Sequence, residues 1–228
     1  MDMPNLTRFN TYPAQPHSNG VLRPASTKQG AAQVKLFIKF IPLLFALVGC
    51  TTAQIEAMDN AAGMGTLTSE RDAFDGAQRI RLSPANVAKP PGGSGLAWTA
   101  GFTVGAQWRE NDPEVISLIL QIEDDIEGIR GVGVNVRGGI TNYETIGLTD
   151  IDTNSDKKWV GPVSTAYASI PIDKFIHMIN SENVMLRLYT LNGYVDAEFS
   201  KLQGRGGALT ARHYLQNSFL PELMSAGK

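Results

Sequence analysis

The stretch that most limits the possible folds runs from Trp98 to Arg109. Trp98, Ala100, Phe102, Val104, Ala106 and Trp108 fall on one side of a period-two alternation, with Thr99, Gly101, Thr103, Gly105, Gln107 and Arg109 on the other. Unbroken alternation of that length cannot form the stripe of a helix, whose apolar positions recur every three or four residues. The segment reads as a strand with one buried face, so the rest of the chain has to supply a sheet.

It does so on both sides. Gln78, Ile80 and Leu82 alternate with Arg79 and Arg81 in a strand that Ser83-Pro84 is predicted to stop, and Lys89 to Gly95 reads as a loop. After the turn Asn111-Asp112-Pro113, Ile116, Leu118, Leu120 and Ile122 face inward. Val132, Val134 and Val136 follow, opposite Gly131, Gly133, Asn135 and Arg137, and further strands are predicted over 140–148 and 163–169. Glycine inside a strand marks a bulge or a close backbone approach, which is the expectation at Gly131 and Gly133. Ile172, Phe175, Ile176 and Ile179, with Pro171 just before them, have the spacing of a short amphipathic helix. Asn192-Gly193 between two alternating runs predicts a two-residue hairpin. That register sets Leu188 beside Ala197, Leu186 beside Phe199 and Arg187 opposite Glu198. Residues 208–220 read as a last helix with Ala211, Tyr214, Leu215 and Phe219 on its apolar side, ended by Pro221. Alternation rather than continuous apolar runs indicates antiparallel sheet with one wet face. The predicted fold is mainly β: an antiparallel β-sandwich carrying two short helices near the C-terminus, with a closed or partly open barrel as the alternative.

Charge is distributed unevenly. Residues 1–49 hold Arg8, Arg23, Lys28, Lys35 and Lys39 against Asp2 alone, leaving 15 of the 20 basic and 21 of the 22 acidic side chains after residue 49, a net of −6. An acidic body carries no electrostatic footprint for nucleic acid, so that class of partner is excluded. Residues 1–33 are rich in Pro, Asn, Ser, Thr, Gln and Gly and read as a disordered extension, or as sequence upstream of a true start near Val34. Residues 34–49 have the layout of an export signal. Lys35 and Lys39 precede the apolar run Phe40–Val48, which is far shorter than the roughly 20 residues a spanning helix needs.

The run ends in Leu47-Val48-Gly49-Cys50, and Cys50 is the only cysteine among the 228 residues. These four residues resemble the lipobox of bacterial lipoprotein precursors, with Leu three positions before the Cys and a small residue directly before it. The resemblance implies cleavage before Cys50, acylation of its thiol and its new amino group, and attachment of the mature chain to a membrane. Thr51, where Asp would favour inner-membrane retention in the Gram-negative branch of that family, implies an outer-membrane protein facing the periplasm. Two or three acyl chains hold firmly where one holds marginally. On this reading residues 50–76 are a flexible tether with a short helix around 55–62, and residues 77–228 form the β-rich domain.

No catalytic constellation is legible. Asp150, Asp152, Asn154 and Asp156 place oxygen ligands at alternate positions, as the first ligands of a calcium loop are placed. Ser155 stands where such a loop needs Gly and Gly161 where it needs a bidentate Glu, so the same residues also read as an Asx-rich turn. Glu123, Asp124, Asp125 and Glu127 form an acidic cluster at a strand end, read as a solvated loop. His17, His177 and His213 lack metal-site spacing, and a His177–Asp173 pair lacks a nucleophile. Gly204-Arg205-Gly206-Gly207 precedes a helix and offers an anion site there, or simply a helix entry. Trp159, after Lys157-Lys158, is the tryptophan placed to touch a partner or a membrane surface. No motif implies a cofactor. The expected protein is a lipid-anchored envelope protein that binds or scaffolds another envelope protein; the alternatives are an envelope hydrolase whose residues converge only in three dimensions and a small-ligand or lipid carrier. Convergence of two or more of Asp150, Asp152, Asp156, Asp173 and His177 in one pocket is the discriminating feature for the hydrolase.

Overall fold

The computed structural model describes residues 51–90, 99–123, 125–153, 161–204 and 207–227. Cys50, Trp98, Asp124, Asn154, Asp156, Trp159 and Arg205 lie outside the described residues.

The described residues form nine strands: β1 (Leu67–Arg71), β2 (Gln78–Ala88), β3 (Thr99–Arg109), β4 (Val115–Glu123), β5 (Ile129–Val136), β6 (Gly139–Asp152), β7 (Val163–Pro171), β8 (Val184–Thr190) and β9 (Tyr194–Glu198). All pairings are antiparallel, in the order β1-β2-β3-β4-β7-β6-β5-β8-β9. A further pair, Ala88 with Glu198, joins β2 to β9 and closes strands β2 to β9 into an eight-stranded barrel, with β1 outside it. The alternative architecture, the barrel, therefore replaces the sandwich.

The reason lies in β2. Ser83-Pro84 does not stop this strand; it makes a bulge between Leu82 and Ala85, and a second irregularity follows between Asn86 and Ala88. The buried positions accordingly change phase, from Ile80 and Leu82 to Ala85 and Val87. Bulges bend a strand and tighten its twist, and they tolerate a proline that donates no hydrogen bond. Gly105 on β3 accepts the bulge: a methyl group there would lie 2.5 Å from the Leu82 carbonyl oxygen and 2.9 Å from the Pro84 nitrogen. The bent β2 is thereby carried to β9. An eight-stranded barrel is just wide enough to be filled by its own side chains, and Phe102, Leu118, Leu120, Leu186 and Phe199 are all essentially inaccessible to solvent.

Helices close one end. α1 (Thr52–Ala61) precedes the barrel. α2 (Ile172–Asn180) links β7 to β8 and buries Phe175, Met178 and Ile179. α3 (Ala211–Tyr214), a π-helical turn (Leu215–Phe219) and α4 (Leu220–Ala226) run on as one C-terminal helix. The predicted stop at Pro221 is not a stop. The π turn, closed by the Leu220 N–H on the Leu215 carbonyl, widens the helix just before the proline, which enters the first turn of α4. Phe175 and Phe219 meet edge to face with centroids 5.8 Å apart, tying α2 to the C-terminal helix.

The hairpin of β8 and β9 also departs from expectation. Its register is Leu186 with Ala197, Arg187 with Asp196 and Leu188 with Val195, two residues from the predicted one. The loop has four residues instead of two, because Leu191 N–H donates to the Gly128 carbonyl and Asn192 Nδ2 to Glu127 Oε1. These ties to the β4–β5 connection outweigh the local preference of Asn-Gly. A shift of two keeps every side chain on its predicted face.

Residues 51–76, read as a tether, carry more regular structure than their composition implies. Thr51 caps α1 in a reciprocal box, its side chain accepting from Gln54 N and its own N–H donating to Gln54 Oε1 at 3.0 Å. His213 Nε2 lies 2.8 Å from Glu56 Oε1, and the Tyr214 hydroxyl donates to Asp59 Oδ2 at 2.6 Å. Gly65 lies directly beneath the Tyr214 ring, where a Cβ would be 2.6 Å from the ring carbons. Ser83 Oγ then donates to the Gly63 carbonyl and accepts from Thr66 N. Among the described residues no helix is long and apolar enough to cross a membrane.

Candidate functional site

The outward face of β6, β5, β8 and β9 has a regular plan, legible from the registers. One row across the four strands reads Glu144, Gly131, Tyr189, Tyr194; the next reads Asn142, Gly133, Arg187, Asp196; the third reads Ile140, Asn135, Met185, Glu198. The β5 column is therefore glycine in two rows of three, and the missing side chains leave a trough between Asn142 and Glu144 on one bank and Tyr189 and Arg187 on the other. Two hollows open along it with Tyr189 as their common wall. One, of about 220 Å³, is lined by Gly133, Asn135, Ile140, Met185, Arg187 and Asp196. The other, of about 780 Å³, is lined by Arg130, Gly131, Asn142, Glu144, Leu191 and Asn192 among others.

At Gly131 the neighbouring backbone leaves no room for a side chain, and at Gly133 the side chains lining the trough crowd the position. A Cβ on Gly131 would lie 2.5 Å from the Tyr143 carbonyl oxygen, and one on Gly133 would lie 2.9 Å from Asn142 Oδ1 and 3.2 Å from the Tyr189 ring. The expectation of a bulge or close backbone approach holds at Gly131, where a bulge also lies between Ile129 and Gly131, whereas at Gly133 it is side chains that come close.

The far bank is held in place before anything binds. Arg187 grips Asp196 through two parallel hydrogen bonds, Nε to Oδ1 at 2.6 Å and a terminal nitrogen to Oδ2 at 2.8 Å. Its guanidinium also lies 4.0 Å over the ring of Tyr194. The Asp196 hydrogen bonds hold the Arg187 proton more tightly than usual, against a smaller opposing effect of desolvation. The Tyr189 hydroxyl reaches across the trough to Asn142 Oδ1 at 3.3 Å. Tyr194 and Ile140 are about two-thirds exposed at the margins. Tyrosine and arginine dominate binding energetics and methionine is enriched at interfaces; tyrosine buries a large area for little lost rotamer freedom, and Arg187 is already fixed by Asp196.

Two further hollows lie elsewhere. At the helical end, Val134, Thr141, Tyr143, Ile170, Lys174 and His177 border a cleft of about 260 Å³ between α2 and the β5–β6 hairpin. Burial raises the Tyr143 pKa above that of a free tyrosine, and the nearby Asp173 charge adds to the rise. At the opposite end Glu123, Asp125, Glu127, Thr190 and Asn192 border a mouth of about 500 Å³. Glu123, Asp125 and Glu127 of the acidic cluster thus rim the barrel end, with Glu127 N–H donating to the buried Ser164 Oγ.

Of the residues named as a hydrolase test, the four described ones, Asp150, Asp152, Asp173 and His177, do not line one pocket together. Asp150 and Asp152 lie on β6, paired with Thr165 and Val163 in the sheet, so strand rather than loop occupies the first half of the candidate calcium sequence. Asp173 is 3.5 Å from Lys174 at the surface, and of the four described residues His177 alone borders one of these hollows. His213 is engaged with Glu56. Among the described residues no three His, Cys, Asp or Glu side chains are grouped to hold a metal ion. Cys50, Asn154, Asp156 and Trp159 fall outside the described residues, as do Arg205 and Gly206 of the glycine-rich loop.

Sequence reasoning missed the groove. Its one available signal was Gly131-x-Gly133 on the face of a strand whose intervening residue is apolar, which places two glycines side by side on the outer surface. Comparison with protein-family models, with curated proteins and with solved structures finds no match to this chain.

Proposed function

We propose that this is a lipid-anchored cell-envelope protein that acts by binding another envelope protein, with the glycine-floored groove of β5, β6, β8 and β9 as its recognition face. The observation that carries the binding role is the clamped bank: Arg187, fixed by Asp196 and stacked on Tyr194, presents its remaining edge to the trough without losing side-chain freedom on contact. The anchor rests on the resemblance of Leu47-Val48-Gly49-Cys50 to a lipobox, and the outer-membrane placement on Thr51. The filled interior of the barrel gives the carrier alternative no support, since Phe102, Leu118, Leu120 and Phe199 occupy the inward positions.

The test is in-cell photocrosslinking from position 142 on the near bank, followed by capture of the acylated protein. Wild type is expected to yield a discrete crosslinked species that Arg187→Ala and Tyr189→Ala each reduce at least about tenfold, the loss of a binding contact worth about 1.4 kcal/mol. Cys50→Ala is expected to leave the membrane fraction. A crosslink unaffected by both groove variants refutes the groove, and an unchanged membrane fraction for Cys50→Ala refutes the anchor.

A further inference from the structure

We infer that two copies of this chain pair end to end, with Phe74 of each entering the cleft between α2 and the β5–β6 hairpin of the other. This contact goes beyond the groove and does not depend on the anchor.

Phe74 stands at the tip of the β1–β2 hairpin and is fully exposed. Isolated apolar side chains are ordinary on a surface, but this one is carried on a turn that is fixed before any contact. Asp72 N–H donates to the Ala77 carbonyl at 2.8 Å, and Gly76 N–H to the Asp72 carbonyl at 2.9 Å. The carboxylates of Asp72 and Asp75 brace the turn, accepting from Phe74 N and Ala77 N at 2.9 Å each. Asn111 Nδ2 ties Asp75 to the β3–β4 connection at 2.6 Å. A ring held out on so rigid a turn gives up little freedom when a partner covers it. The donors to both carboxylates are neutral, and Arg71 lies 3.9 Å from Glu110, so the knob carries the negative charges of Asp72 and Asp75 beside its ring.

The cleft suits both the ring and the charge. It holds about 260 Å³, where a benzene ring needs about 150 Å³, and Val134, Val136, Ile140 and Ile170 give it apolar walls. Lys174 and His177 border it, and no carboxylate among the described residues does. Lys174 lies 3.5 Å from Asp173, but a pair of adjacent, well-exposed side chains contributes little and leaves the ammonium open to a second carboxylate. The other three hollows differ. Those of the groove set Arg187 against Asp196 and Arg130 against Glu144, and the mouth presents Glu123, Asp125 and Glu127. Of the four, the cleft is therefore the one whose charge complements an acidic knob. Glu114, three residues beyond Asn111, accepts through its carbonyl from the N–H of Ile172, the first residue of α2, at 2.8 Å. Knob and cleft thus share the helical end of the barrel, and Phe74, being fully exposed, fills no cleft of its own chain. Two copies meeting at that end about a two-fold axis each give a ring and receive one, a self-complementary arrangement that closes at the dimer.

Two differently tagged full-length forms, expressed in the same cells, test the pairing. One carries Ala73→Cys, an exposed position beside the ring, and the other Thr141→Cys at the cleft wall; a short, cell-permeant bismaleimide then joins thiols that meet. Both forms keep Cys50, so the same pair without the introduced cysteines supplies the background. A crosslinked dimer bearing both tags is expected. Adding Phe74→Ser to the first form should reduce it at least about tenfold, and adding Lys174→Glu to the second should reduce it severalfold. Asn192→Cys, on the β8–β9 loop at the other end of the barrel, should give background alone in place of Thr141→Cys. In detergent solution the wild-type chain should sediment as a dimer. Phe74→Ser should sediment as a monomer with an unchanged melting temperature, because the ring is fully exposed within its own chain. A crosslink that survives Phe74→Ser, or that forms equally from Asn192→Cys, overturns the inference. So does a wild-type chain that sediments as a monomer and crosslinks no more than background.

Discussion

Replacing Gly105 by alanine tests whether β2 runs through Ser83-Pro84 as a bulged strand. The added methyl would sit 2.5 Å from the Leu82 carbonyl oxygen, 2.9 Å from the Pro84 nitrogen and 3.1 Å from the Ser83 carbonyl carbon. Ordinary contacts of such an atom begin near 3.4 Å, so the shortest is too close by about 0.9 Å. All three obstacles are backbone, and no rotamer change relieves them. β2 has to retreat at the point where Leu82 pairs with Ala106 and Ala85 with Val104, and the retreat propagates toward the closure at Ala88 and Glu198. Overpacking of a well-filled site costs about 1–3 kcal/mol, and loss of ladder bonds adds to it, so a destabilisation of about 3 kcal/mol is expected. Gly139→Ala is the control, since its Cβ would meet nothing nearer than the Val136 carbonyl oxygen at 3.5 Å, and it should change stability by less than about 0.5 kcal/mol. Urea titration of both variants reads the difference as a shift in midpoint at constant slope, and thermal melting should show about 6–12 °C for Gly105→Ala. A Gly105→Ala protein within about 0.5 kcal/mol of wild type would refute the bulge and with it the stated reason for barrel closure.

Other outcomes follow from the same contacts. Phe219→Ala removes a fully buried ring and its edge contact with Phe175, and is expected to cost about 3–5 kcal/mol in denaturant titration. Burial, reinforced by the hydrogen bond to Asp59 and the charges of Asp59 and Glu56, raises the Tyr214 pKa far above 10.0. A raised folded-state pKa means that the folded protein holds a proton the unfolded chain has released, so this contribution is intact below pH 10 and falls as pH rises beyond it, by up to about 1.4 kcal/mol per pH unit. Tyr214→Phe should lower stability at neutral pH by about 1–2 kcal/mol through loss of the bond to Asp59 and should flatten the alkaline slope; an unchanged slope between pH 10 and 12 would count against the burial of this hydroxyl. Gly131→Ala should destabilise through the Tyr143 carbonyl and lose groove binding at the same time, whereas Tyr189→Ala should lose binding with a stability change below about 1 kcal/mol.

Strand existence was legible because burial on one face forces period two, and β3, β4, β5, β7 and β8 lie where alternation places them. Closure was not, because a sandwich and a barrel bury every second residue alike. What separates them is where strands bend, and a bend is written as a change of phase. Ile80 and Leu82 face inward, and so do Ala85 and Val87, with Ser83-Pro84 between them. Read as a stop, Pro84 ends a strand of a sandwich; read as a phase change opposite a glycine-bearing neighbour, it bends β2 until it meets β9. β6 hides itself in the opposite way. Its exposed residues include Ile140, Ile146 and Leu148, while Thr145 Oγ1 and Thr149 Oγ1 both bond the Ile129 carbonyl, so its apolar pattern marks the outer surface and not the core. The groove was illegible for a related reason. Its floor is two absent side chains, and its banks are joined by the pairing of β5 with β8, a contact between residues about fifty or sixty positions apart that no local period encodes. The β8–β9 hairpin shows the same limit in miniature: Asn-Gly favours a two-residue turn, but the bonds from Leu191 to Gly128 and from Asn192 to Glu127 hold it open at four, and that shift delivers Asp196 rather than Glu198 to Arg187. The charge pair that stiffens the groove is therefore set by a loop on another strand connection, which makes the 127–128 segment part of the site although it touches none of Arg187, Asp196 or Tyr194 among the hydrogen bonds that define the bank.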